Sequence, residues 1–140
     1  MSDRIYSHQH RVTYSECTLG NHIYYARYLD ILEEARGEFF RSLRLPLLAL
    51  QQEDTGFPVI ESRLKYICAA RYDDVLAIDL WLTDLTRVRV NFGYRIANQH
   101  DQFILEGSTC HVCATLAEKP KRMPGKLTAL LAPYLRTSST

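Results

Sequence analysis

Residues 16–40, ECTLGNHIYYARYLDILEEARGEFF, open as a polar loop and turn into a strongly patterned helix. His22, Tyr24 and Tyr25 stand at the changeover. Projected at about 100° per residue, Asp30, Glu33, Glu34, Gly37 and Arg41 fall on one side. Tyr28, Leu32, Ala35, Phe39 and Leu43 fall on the other. The spacing predicts a helix from residue 26 to about residue 44, stopped by Pro46. Its apolar arc is wide, so other structure is expected to wrap it. Arg36 is the one charge well inside that arc, beside Leu29 and Leu32. A buried guanidinium is costly unless paired. Arg36 is therefore expected either to meet a carboxylate, with Asp73 and Asp74 as candidates, or to face a polar cavity. It lies about 16 Å along the axis from Tyr25, too far for both to touch one small group.

Outward from the helix, the pattern changes to period two. Residues 4–15 are rich in β formers and read as a first strand. Gly56 and Pro58 punctuate the switch after the helix, and FPVIESRLKYI alternates Ile60, Leu64 and Tyr66 with Glu61, Arg63 and Lys65. VLAIDLWLTDLT, RVRVNFGYRI and QFILEGSTCHVCATLA supply three more strands, with Gly107 a candidate bulge or bend in the last. Residues 125–135 read as a terminal helix. Short connections imply that strands two to five form an antiparallel meander. Helix and strands segregate along the chain, so the fold class is α+β, one helix packed on one sheet. A sheet covered on one side is expected to hide its other face or its edge in an oligomer.

Composition narrows the function. The chain has 140 residues, the size of one domain over 1–140. A formal net charge of +1 leaves no global field for nucleic acid. No apolar run approaches the roughly 18 residues of a membrane span, and the N-terminus lacks a signal core. Cys17, Cys68, Cys110 and Cys113 are too few for a disulfide framework, so reduced thiols and a cytoplasmic location are expected. CHVC, residues 110–113, has half the spacing of a zinc site, but residues three apart on a strand point to opposite faces. His8 and His10 share a strand face with no third ligand in view. No metal is expected.

Three patterns in order resemble one known family. RVTYSECTLGNHIYYARYLDILEEAR, YICAARYDDVLAI and KPKRMP look like the corresponding segments of the hotdog fold, in its 4-hydroxybenzoyl-CoA thioesterase-like branch. The resemblance spans roughly residues 4 to 124. It implies a five-stranded antiparallel sheet wrapped around one long central helix. It also implies hydrolysis of acyl-CoA or acyl-carrier-protein thioesters, with coenzyme A entering as part of the substrate and no other cofactor. The assembly it implies is a homodimer with active sites between subunits, and a dimer of dimers, a homotetramer. Two positions depart from the branch. Thr18 stands where most members have an aspartate, and Tyr25 where many have a histidine. The enediyne-polyketide thioesterases similarly lack that acid and carry a helix arginine, matched here by Thr18 and Arg36.

Each candidate residue has a functional and a structural reading. Amides at Tyr24, Tyr25 and Ala26 head the helix, where unpaired N–H groups and the helix dipole favour negative charge. They would polarise a thioester carbonyl; otherwise they form an ordinary solvated N-terminus. Thr18 would orient water or substrate, or serve only as a turn hydroxyl. His22 would act as general base, as imidazole side chains commonly do, or sit at the surface. Tyr25 would donate a hydrogen bond or line the pocket. Arg36 would meet substrate or an internal carboxylate. Glu61, on the polar side of its strand, is set aside as a replacement acid. Arg87, Arg89, Lys119, Lys121 and Arg122 would hold coenzyme A phosphates, or remain solvated surface charge. The alternative to an enzyme is a hotdog protein that binds acyl-CoA or fatty acyl chains without turnover. A hydratase on the same fold would need a carboxylate near His22.

Overall fold

The computed structural model describes residues 4–136; the domain expected over 1–140 extends beyond them at both ends. The described residues form seven strands and three α-helices: β1 (Tyr6–Arg11), β2 (Cys17–Thr18), β3 (His22–Ile23), α1 (Arg27–Ser42), α2 (Leu47–Gln52), β4 (Val59–Tyr66), β5 (Val75–Leu85), β6 (Arg89–Ala97), β7 (Phe103–Val112) and α3 (Gly125–Leu131). β1, β4, β5, β6 and β7 form one sheet in the order β1-β5-β6-β7-β4, antiparallel at every step. β2 and β3 make a separate small hairpin.

α1 lies across the inner face of that sheet because its stripe matches the sheet's. Tyr28, Ile31, Leu32, Ala35, Phe39 and Phe40 are buried. They share one core with Leu76, Ile78, Leu80 and Leu82 of β5 and with Val90, Phe92, Tyr94 and Ile96 of β6. Such burial is the main stabilising term for an amphipathic helix of this length. Arg44, at φ 63°, ends the helix in the left-handed region, and the Leu45 amide returns to the Phe40 carbonyl at 3.0 Å.

Two expectations change. β5, β6 and β7 do form a meander, but β4 does not join it beside β5. β1 occupies that edge, pairing Tyr6–Arg11 with Val75–Leu80, so β4 pairs with β7 at the opposite edge. Connection 67–74 makes the crossing, with the Ile67 amide bonded to the Ile104 carbonyl at 2.9 Å. Gly107 is not a bulge: it pairs in register with Leu64 and Tyr94, while the register shifts occur elsewhere. It is small because an added Cβ would lie 2.7 Å from the Arg63 carbonyl oxygen.

β4, at the far edge, is exposed along nearly its whole length, including Val59, Ile60 and Tyr66. α1 runs back along it: the Tyr25 and Tyr28 rings meet Tyr66 at its end, and Phe40 stacks on Phe57 just before its start. No helix of the described residues is long and apolar enough to cross a membrane.

Candidate active site at the start of the long helix

The β2–β3 hairpin places Thr18 directly opposite His22. Its turn needs Gly20 at φ 92° and Asn21 at φ 59°, a conformation favourable to glycine and tolerated by asparagine. The hairpin is fastened to segment 70–72. Arg71 donates to the carbonyls of Gly20 (3.3 Å) and Asn21 (3.1 Å), the Tyr72 amide to Asn21 Oδ1, and the Ile23 amide to the Ala70 carbonyl. Thr18, His22, Tyr24 and Tyr25 thereby line one cleft of about 340 Å³ with Tyr28 and Tyr66. Tyr24 and Tyr25 are both exposed there, with rings 4.8 Å apart.

The amides at the head of the helix divide. That of Tyr24 is taken by the Glu16 carbonyl at 3.0 Å, which removes it from the expected anion pocket. Those of Tyr25 and Ala26 have no hydrogen-bond partner among the described residues, and α1 begins at Arg27. The set of amides free to form the expected pocket is therefore one residue shorter, because the polar loop closes back onto Tyr24. The residues lining the cleft include no carboxylate.

Arg36 lies elsewhere. It lines a second cavity, also about 340 Å³, between α1, α2 and the sheet, with Phe57, Phe92 and His111. The carboxylate pairing does not occur. Asp73 pairs with Arg11 at 3.2 Å, Asp74 accepts from the Arg71 amide and Gln99, and Arg36 Nη1 donates to the Tyr94 hydroxyl at 3.0 Å.

The basic residues also divide. Lys121 Nζ donates to the Glu53 and Asp54 carbonyls and to Thr55 Oγ1, so it ties down the end of α2 and is not the free phosphate ligand expected. A lysine near carbonyls that a short helix leaves unpaired satisfies them in this way. Arg87 and Arg122 share a separate cleft beside α3; Arg89 and Lys119 are exposed. Glu61 is exposed and paired with Arg63.

A group not foreseen holds the polar loop. His10 donates from Nε2 to Glu16 at 2.9 Å and from Nδ1 to Glu34 at 3.0 Å; Glu34 also accepts from His8 Nε2 at 2.6 Å. Two carboxylates on the two ring nitrogens require both N–H protons, hence an imidazolium. Burial lowers the His10 pKa, but the hydrogen bonds it donates to Glu16 and Glu34, with their negative charges, outweigh it, and the net shift is upward. For Glu34, burial raises and the two histidines lower, and the net shift is downward. The His8–Gln–His10 alternation showed one face of a strand; only packing brings Glu34 and Glu16 onto it.

The signs of those shifts give a pH expectation. The raised His10 contributes stability that is complete below its unfolded value of 6.5 and is lost as pH rises through its higher folded pKa. The lowered Glu34 contributes above 4.5 and loses its contribution as pH falls through its folded value. The melting temperature of wild type relative to His10→Asn should therefore be highest between those values and decline toward pH 9. Parallel melting curves across that range would contradict the assignment.

Comparison with known proteins places the chain among relatives. The family model described as Thioesterase-like superfamily matches residues 12–131. The acyl-CoA thioester hydrolase YbgC of Escherichia coli O6:H1 is 31% identical over 120 residues, 85% of this chain and 90% of that one. The crystal structure of hypothetical protein TT1821 from Thermus thermophilus superposes with a TM-score of 0.86 at 26% identity, over 91% of this chain and 98% of that one. The dynemicin thioesterase shares the fold, with a TM-score of 0.88 at 18% identity over 96% of this chain and all of that one.

Proposed function

We propose, from the premise that this chain belongs to the Thioesterase-like superfamily and is a thioester hydrolase, that its substrates are acyl-CoA thioesters cleaved at the start of α1. The observation that carries this reading is the pair of amides at the head of α1, Tyr25 and Ala26, that have no partner among the described residues, Tyr25 itself lining the cleft that holds Thr18 and His22. Those N–H groups donate to the carbonyl oxygen as it gains negative charge, and the helix dipole reinforces them. Thr18 orients water. The water oxygen bonds to the carbonyl carbon, its proton passes to His22, the carbon–sulfur bond breaks, and the proton goes on to the departing thiolate. Water is the only co-reactant, and no resident cofactor takes part.

Two copies complete the site. β4 is an exposed sheet edge that carries Val59, Ile60 and Tyr66 beside Glu61, Arg63 and Lys65, and its outer backbone N–H and C=O groups are open to another strand. Antiparallel pairing of β4 with β4 of a second copy sets the Val59 end of one beside the Tyr66 end of the other. The helix start of one copy then adjoins the Arg36 cavity and the basic end of its neighbour, where Arg87, Arg89, Lys119 and Arg122 are available to coenzyme A phosphates. Within a single chain, about 16 Å of helix rise separates these parts. Pairing of such dimers into a tetramer fits the second face of the sheet.

Thr18→Ala and His22→Ala, assayed on a panel of acyl-CoA substrates with thiol detection, test the chemistry. At least one is expected to lose about 10²-fold in kcat. Full activity in both would remove the loop from the mechanism. Tight acyl-CoA binding without turnover in wild type would favour a binding protein, a reading supported by the absence of a carboxylate from the cleft lining.

A further inference from the structure

Arg36, Tyr94, Thr109 and His111 form a hydrogen-bonded line beside the second cavity. Chemistry fixes its direction. A guanidinium only donates, so the Tyr94 oxygen accepts from Arg36 at 3.0 Å. The phenol proton then goes to Thr109 Oγ1 at 2.7 Å, and the threonine proton to His111 Nε2 at 2.8 Å. His111 Nδ1–H donates to the Phe57 carbonyl at 3.0 Å. This order needs a neutral imidazole. Burial lowers its pKa to about 4, against the Phe57 hydrogen bond and with the help of the Arg36 charge.

The line uses one N–H of Arg36 and leaves the rest of the fork for the cavity. No carboxylate lies within ion-pair distance of Arg36 among the described residues. Glu33, exposed, lines the same cavity without pairing to it. Lys121 brings a second positive charge behind Thr55 on the cavity wall. Much of the remaining lining is apolar, including stacked Phe40 and Phe57, 5.9 Å apart, and Phe92. A half-buried cation at an aromatic wall, with donors unspent, suits a methylene chain that ends in an anion. Hydrated phosphate suits such walls poorly.

We propose that this cavity is a subsite for acyl chains ending in a carboxylate, with Arg36 as the anion-binding residue and Tyr94, Thr109 and His111 as positioning residues. The assignment rests on the thioesterase reading above, in which this cavity of one copy adjoins the helix start of the other.

The test compares kcat/KM for succinyl-, glutaryl- and adipyl-CoA with butyryl-, valeryl- and hexanoyl-CoA. Wild type is expected to favour its best carboxyl-ended chain by about 10-fold or more, the effect of one charge-assisted hydrogen bond. Arg36→Met should abolish that ratio, Arg36→Lys should restore part of it, and Tyr94→Phe should reduce it. Glu33→Gln should increase it by removing a like charge. Equal or better turnover of the neutral series by wild type overturns the subsite and leaves the thioesterase reading standing. The same acyl groups on pantetheine, which lacks the nucleotide phosphates, separate the two anions. An Arg36 effect that disappears on pantetheine assigns the residue to phosphate and overturns the proposal. If neither series is hydrolysed, the thioesterase reading fails. Thermal shift then decides the subsite: adipate should stabilise wild type but not Arg36→Met, hexanoate should do less, and no adipate shift overturns it.

Discussion

Ile60→Lys is expected to convert the protein to a monomer and to lower acyl-CoA hydrolysis by about 100-fold or more, the scale of misplacing parts of a composite site. Ile60 is 57% exposed on a strand whose outer edge has no partner in the single chain. A lysine there removes little internal packing, so the fold should persist, as circular dichroism would show. In a β4-paired dimer the same lysine replaces one of the strand's exposed apolar side chains with a charge and adds to Arg63 and Lys65, and extra lysine on an edge strand opposes pairing. Sedimentation velocity reads the mass and a thiol assay reads the rate. A wild-type protein that sediments as a monomer at full activity would overturn the composite site.

Ala26→Pro should reduce kcat by about 10²–10³-fold with a much smaller change in KM, the expected loss for one preorganised oxyanion donor. Ala26 sits at φ −74° and ψ −19°, within reach of proline's φ of about −65°. Its amide bonds to no group among the described residues, so the substitution removes no protein hydrogen bond. Proline also restricts Tyr25, and a thermal melt beside the kinetics reports any strain there. Ala26→Gly keeps the N–H and should retain most of the rate. A folded Ala26→Pro enzyme with wild-type kcat would exclude the Ala26 amide from the carbonyl site.

The candidate site was legible in part for a local reason. Thr18, His22, Tyr24 and Tyr25 lie within one hairpin and one helix start, so spacing along the chain sets their proximity. The closure of Glu16 onto the Tyr24 amide was not legible, because a backbone carbonyl carries no side-chain signature. Tyr94, Thr109 and His111 come from two neighbouring strands, and their alternation shows only that they share the inner face. Lys121 reads in sequence as one more surface cation, yet it serves carbonyls more than sixty residues away.

From the sequence alone came the long amphipathic helix, the period-two strands, the α+β class and the polar loop leading into the helix. Those features depend on side-chain spacing, which the order of residues states directly. Tertiary structure decided that β4 pairs with β7 and not β5, that Arg36 meets a tyrosine and a cavity and not an aspartate, and that His10 bridges two glutamates. Each of these depends on which edge or face a distant segment occupies. That choice is made by burying the core as a whole, and no local pattern records it.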